Sequence, residues 1–112
     1  MSVSYNLKRL IAPQTLTTTS TLYYSVPSST TTALKQLVIS NTSGQTVGVS
    51  IYLVPSGGTA TNSNLMFPNI AVSSNSTLTF DLNQVLNTND QIYASASSGA
   101  SINIMASGFE AA

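Results

Sequence analysis

Between Val47 and Leu53 every second residue is apolar. Val47, Val49, Ile51 and Leu53 share one face, and Gly48, Ser50 and Tyr52 lie between them. A period of two marks a strand with one buried side. The run before it, Leu34 to Ser40, is rich in β-formers. Its link to Val47 passes through Asn41-Thr42-Ser43-Gly44, three turn-forming side chains and a glycine free to adopt positive φ. The stretch from Leu34 to Pro55 therefore predicts a central hairpin, closed by the turn Pro55-Ser56-Gly57-Gly58. A lone hairpin is marginal in water, so further strands must cover its apolar face.

The same reading extends along the chain. Thr21 to Val26 predicts a short strand stopped by Pro27, and Ser28 to Thr32 a loop. Leu65 to Val72 is apolar but carries Pro68, which predicts an edge or bulged strand. Leu78, Phe80 and Leu82 alternate with Thr77, Thr79 and Asp81, whereas Leu82 to Leu86 reads as one helical turn. Ile92, Ala94 and Ala96 point inward, with Tyr93 and Ser95 outward. A last hairpin turn is expected at Ser98-Gly99, before a closing strand with Ile102, Ile104 and Ala106 on one face.

Seven or eight short antiparallel strands at about ten-residue spacing predict an all-β chain, a single β-sandwich of jelly-roll or Ig-like type. Residues 20–112 are expected to form the sandwich. Residues 1–19 are read either as an edge strand, whose Lys8 and Arg9 deter further pairing, or as an extended arm reaching a neighbouring subunit.

Composition narrows the classes of function. The 112 residues include only three basic and three acidic side chains, 5% charged in all, against about 25% in ordinary soluble domains. Serine and threonine make up 34 residues and asparagine ten. The surface is polar yet nearly uncharged, and a net charge of zero favours association. Three cations make no phosphate-binding patch, which argues against nucleic acid. No stretch approaches the ~20 apolar residues of a transmembrane helix, so no membrane partner is expected. The N-terminal MSVSYNLKRLIAPQ lacks a basic region followed by an apolar run, and no secretory signal is expected.

Candidate chemistry is sparse. With no histidine or cysteine, the commonest general base, the commonest metal ligands and the strongest nucleophile are missing. Asp81, on an outward strand position, and Asp90, in a turn, read as solvated groups rather than a glycosidase pair. Gly57-Gly58 lacks the lysine and helix of a phosphate loop. No enzyme activity and no cofactor are expected. Tyr52 and Tyr93 point away from the core on their strands, either as interface aromatics or as stacking residues for a sugar. The sequons at Asn41 and Asn75 are read as turn residues.

The order of several pieces carries a family likeness. Tyr52-Leu53-Val54-Pro55 is followed by the Gly57-Gly58 turn and the Asn64-Leu65 restart. The strand entries Asn75-Ser76-Thr77-Leu78 and Asp90-Gln91-Ile92 come next, then the Ala/Ser-rich final strands. Over residues 33 to 110 the chain resembles small virion structural modules of tailed bacteriophages, which recur as capsid decoration (cement) proteins and as tail or fibre domains. The resemblance implies a non-enzymatic β-sandwich in the virion, assembled in the host cytoplasm. Its partners would be the major capsid protein or other virion proteins, and it would form a homo-oligomer, a trimer for preference. The expected role is decoration that stabilises the capsid lattice; the alternative is a tail or fibre module contacting tail proteins or host glycans. The chemically distinct N-terminal segment, Tyr5, Leu7, Lys8, Arg9, Leu10 and Ile11, is the expected capsid or subunit contact, and loss of residues 1–12 is expected to leave the fold intact.

Overall fold

The alternation seen in the sequence resolves into eight strands in a computed structural model that describes residues 5–99 and 101–111. They are β1 (Tyr5–Thr15), β2 (Thr21–Ser25), β3 (Thr31–Asn41), β4 (Val47–Val54), β5 (Leu65–Val72), β6 (Thr77–Leu86), β7 (Gln91–Ala96) and β8 (Ile102–Ala111). One 3-10 turn, Asn62–Asn64, precedes β5. Sheet A has the order β1-β8-β3-β6 and sheet B the order β2-β7-β4-β5. All pairings are antiparallel.

First strand pairs with last, second with seventh, third with sixth, and fourth with fifth. This is a long hairpin, folded at β4–β5 and rolled until β3 meets β8 and β4 meets β7. The strand order is that of a jelly roll, one of the two sandwich types the spacing allows.

The core is the space between the sheets. Leu34, Leu37 and Ile39 of β3 and Ile102, Ile104 and Ala106 of β8 meet Val49 and Ile51 of β4 and Ile92 and Ala94 of β7, all buried. Burial alternates strictly on β7 and on β8 as far as Gly108, so the period of two located their inner faces correctly. β5 is the edge of sheet B, with register shifts beside Pro68.

Three local expectations are corrected. β3 and β4 belong to opposite sheets, so their link is an arch and not a hairpin. Asn41, rather than Gly44, shapes it. The buried Asn41 side chain donates to Gln45 O at 2.7 Å and Val72 O at 3.0 Å, and accepts from Ser43 N at 2.9 Å. Gly44 is not among the residues with positive φ. The chain also changes sheets between β7 and β8, so Ser98-Gly99 is no hairpin turn. Leu82 to Leu86 is extended and not helical. It completes β6, pairing Gln84, Val85 and Leu86 with Leu34, Ala33 and Thr32. A mixed polar and apolar run suits the edge of a sheet, where one side faces water.

The N-terminal segment forms β1, an edge strand paired along β8. Leu10 and Ile11 are 7% and 1% exposed, successive residues turned inward by a bulge between Arg9 and Ile11. Removing residues 1–12 would take both from the core and uncover β8, contrary to the expectation that the fold survives the loss.

Candidate functional site

Among the described residues no further element packs on the outer face of either sheet, and both faces bring apolar residues of distant parts of the chain into line. On sheet A, Leu7 of β1 lies beside Phe109 of β8, Phe109 beside Ala33 of β3, and Ala33 beside Val85 of β6. Direct cross-strand partners project to the same side of a sheet. The row therefore crosses all four strands on the outer surface. Its two ends are open to solvent, Leu7 80% and Val85 60% exposed, and Phe109 and Ala33 are half-buried between them. A shallow depression of about 350 Å³ opens here, lined by Leu7, Lys35, Gly108 and Phe109.

The next row on the same face is polar. It runs Arg9, Ser107, Gln36, Asp81, again from β1 to β6. Gln36 Nε2 donates to Asp81 Oδ1 at 3.2 Å. Between the rows β3 bulges, which turns both Lys35 and Gln36 away from the core, and the Lys35 ammonium donates to Asn83 Oδ1. Gly108 is required beside this bulge, because a Cβ there would sit 1.9 Å from the Ala33 carbonyl oxygen. One row further on, Met105 lies beside Val38, both half-buried.

The outer face of sheet B carries the counterpart row, Leu22 of β2, Tyr93 of β7, Tyr52 of β4 and Leu65 of β5. Tyr52 and Tyr93 are direct partners and both are half-buried, so the two tyrosines expected on the outside share one surface. The row beside them is small and polar, with Ser50 opposite Ser95. None of the four strands of this sheet contains a charged residue.

The other expected contact residues separate. Leu7 and Arg9 face outward on sheet A. Lys8 points the other way and bonds Glu110 Oε1 at 3.1 Å. Leu10 and Ile11 belong to the core. Tyr5 joins β1 through its backbone, and its side chain lies outside the described part of the structure. Phe109, Val85, Leu22 and Leu65 were not singled out from the sequence. A signal was there: Phe109 continues the outward series Asn103, Met105, Ser107, and Val85 stands out once Leu82 to Leu86 is read as strand.

The two carboxylates weighed as a catalytic pair are on separate structural duties. Asp81 is exposed on β6, while Asp90 accepts from Asn87 N at 2.8 Å and Ser56 N at 2.9 Å, pinning two turns. Among the described residues no group of three metal-ligating side chains is placed to hold an ion.

The fold has known counterparts. A chain from Bacillus endospore appendages, which form a novel family of disulfide-linked pili, aligns with TM-score 0.61 at 14% identity, over 98% of this chain and 89% of that one. A chain of the infectious bursal disease virus particle aligns with TM-score 0.53 at 16% identity, over 97% of this chain and 30% of that one. At these identities the likeness is one of fold. No protein-family model matches the sequence, and no curated protein does.

Proposed function

We propose that this chain is a non-enzymatic structural protein of a tailed-bacteriophage virion, a decoration protein that binds the major capsid lattice and stabilises it. The observation that carries the reading is the pair of full-width apolar rows on the two outer faces, set in a surface with almost no charge. An isolated domain gains nothing from Leu7 or Val85 in water, whereas an assembled one buries them at about 25 cal/mol per Å² of apolar area. Repeated at every lattice point, even a modest footprint adds to the strength of a shell. The jelly-roll fold, shared with a chain of an icosahedral virus particle and with a chain of a pilus, is in keeping with such a role. This chain has no cysteine, so it forms none of the disulfide links named for the pili. The place of action is the virion.

Co-sedimentation of the purified protein with stripped shells of the source phage tests the proposal. Saturable binding that raises the temperature at which the shells rupture is expected; failure to bind any shell overturns it.

Tyr52 and Tyr93 favour one second reading, a tail or fibre module that contacts host glycans. Direct cross-strand partners present two rings on one surface, the arrangement on which a sugar stacks. Binding on a glycan array that is lost in both Tyr52→Ala and Tyr93→Ala would favour this reading, and a blank array would remove it.

A further inference from the structure

We propose that the outer face of sheet A is the seat of a second copy of this chain, in a two-fold pair whose axis runs along the strands. The inference rests on the reading of the chain as an assembly module, and names the occupant of one of its surfaces. The reason is the order of residues in the two adjacent rows. A two-fold axis lying in the interface, parallel to the strands and midway between β8 and β3, exchanges β1 with β6 and β8 with β3. It lays the apolar row on itself, so that Leu7 meets Val85 of the second copy and Phe109 meets Ala33. It lays the polar row on itself too. Arg9, on one edge strand, then meets Asp81 of the second copy, on the other edge strand, and the same contact recurs by symmetry.

The face is thus complementary to itself in both charge and apolarity, which an isologous contact requires. Arg9 and Asp81 stand at opposite edges of one sheet, too far apart to pair within a chain. Four strands at about 4.8 Å spacing and about seven residues of length offer on the order of 500 Å² per copy. The pair buries on the order of 1,000 Å² in all, the lower limit for a specific interface. A reversible, concentration-dependent dimer follows. Sheet B has a comparable apolar row but no charge on its strands, so nothing there selects a partner.

Light scattering of the isolated protein over a dilution series tests this without any capsid. The wild type is expected to pass from monomer to dimer as concentration rises. Arg9→Asp and Asp81→Arg each set like charges against each other twice and should weaken the dimer about tenfold or more. The double variant Arg9→Asp/Asp81→Arg restores opposite charges and should recover most of the lost affinity. Leu7→Asp should leave the protein monomeric. All three positions of change are exposed on edge strands, and unchanged thermal unfolding serves as the control for folding. A wild type that is monomeric at every concentration, or trimeric, overturns the pairing. So do single variants that dimerise as the wild type does, or a double variant that is weaker than either single one. Shell binding is scored in a separate assay, so loss of the pairing and loss of the virion reading are told apart.

Discussion

Tyr24 of β2 donates its hydroxyl proton to Glu110 Oε2 of β8 at 2.6 Å, a hydrogen bond that ties sheet B to sheet A. With that proton committed to the carboxylate, the Thr32 hydroxyl is the donor in its 2.7 Å contact with the Tyr24 oxygen. The other carboxylate oxygen takes the Lys8 ammonium at 3.1 Å. Four strands, β1, β8, β2 and β3, are joined at one end of the sandwich by this network. It explains how Glu110 is tolerated facing the interior: both of its oxygens have charge-assisted partners. Burial, and then the bond to Glu110, hold the Tyr24 phenol well above its ordinary ionisation range.

Tyr24→Phe is expected to destabilise the protein by about 1.5–3 kcal/mol, the range for a hydrogen bond to a charged group. It strands one carboxylate oxygen and the Thr32 hydroxyl. Urea unfolding measures it, and a loss under about 0.5 kcal/mol would contradict the role of the network.

The same phenol sets an alkaline limit. Its folded pKa lies above the unfolded value of about 10, so its contribution is intact below that pH. As pH rises further the unfolded chain loses the proton while the folded chain keeps it, and stability falls. Urea unfolding at pH 9, 10 and 11 should show a decline that is shallower in Tyr24→Phe. Parallel declines in the two proteins would count against it.

Gly108→Ala is expected to cost about 2 kcal/mol or more, because the new Cβ would meet backbone rather than a movable side chain. Gly44→Ala, with nothing within 4 Å of its Cβ, is the matched control and should be near neutral. Thermal unfolding of the two variants decides it.

Asn41→Ala should cost about 2–4 kcal/mol, since it leaves the buried Val72 carbonyl without its side-chain donor and opens the β3–β4 arch. A variant that unfolds with the wild type would show that the arch holds without its amide.

Ser101→Ala is expected to move the other way. The Ser101 hydroxyl is buried with no hydrogen-bond partner among the described residues, and removing it should leave stability unchanged or raise it by up to about 1 kcal/mol. A clear loss of stability would mean that the hydroxyl is satisfied in solution.

Much of this architecture is written in the sequence. The period of two along Val47–Leu53, Gln91–Ala96 and Ile102–Ala106 settles which side chains face inward, because alternation is a property of each strand by itself. The turn residues settle where most strands stop. The scarcity of charge and the absence of histidine and cysteine bound the chemistry before any fold is known.

Only the tertiary structure decided which strands share a sheet. Asn41-Thr42-Ser43-Gly44 reverses the chain equally well as a hairpin or as an arch, and the choice depends on the Val72 carbonyl, 31 residues away, that the Asn41 amide finds. Bulges hid two more features. A bulge at Leu10 turns successive residues inward, and one at Lys35 turns successive residues outward, breaking the alternation on which sequence reading depends. The rows Leu7–Phe109–Ala33–Val85 and Arg9–Ser107–Gln36–Asp81 belong to this second class. Each is assembled from four strands scattered over more than 70 positions, and cross-strand register is set by long-range pairing that no local pattern encodes.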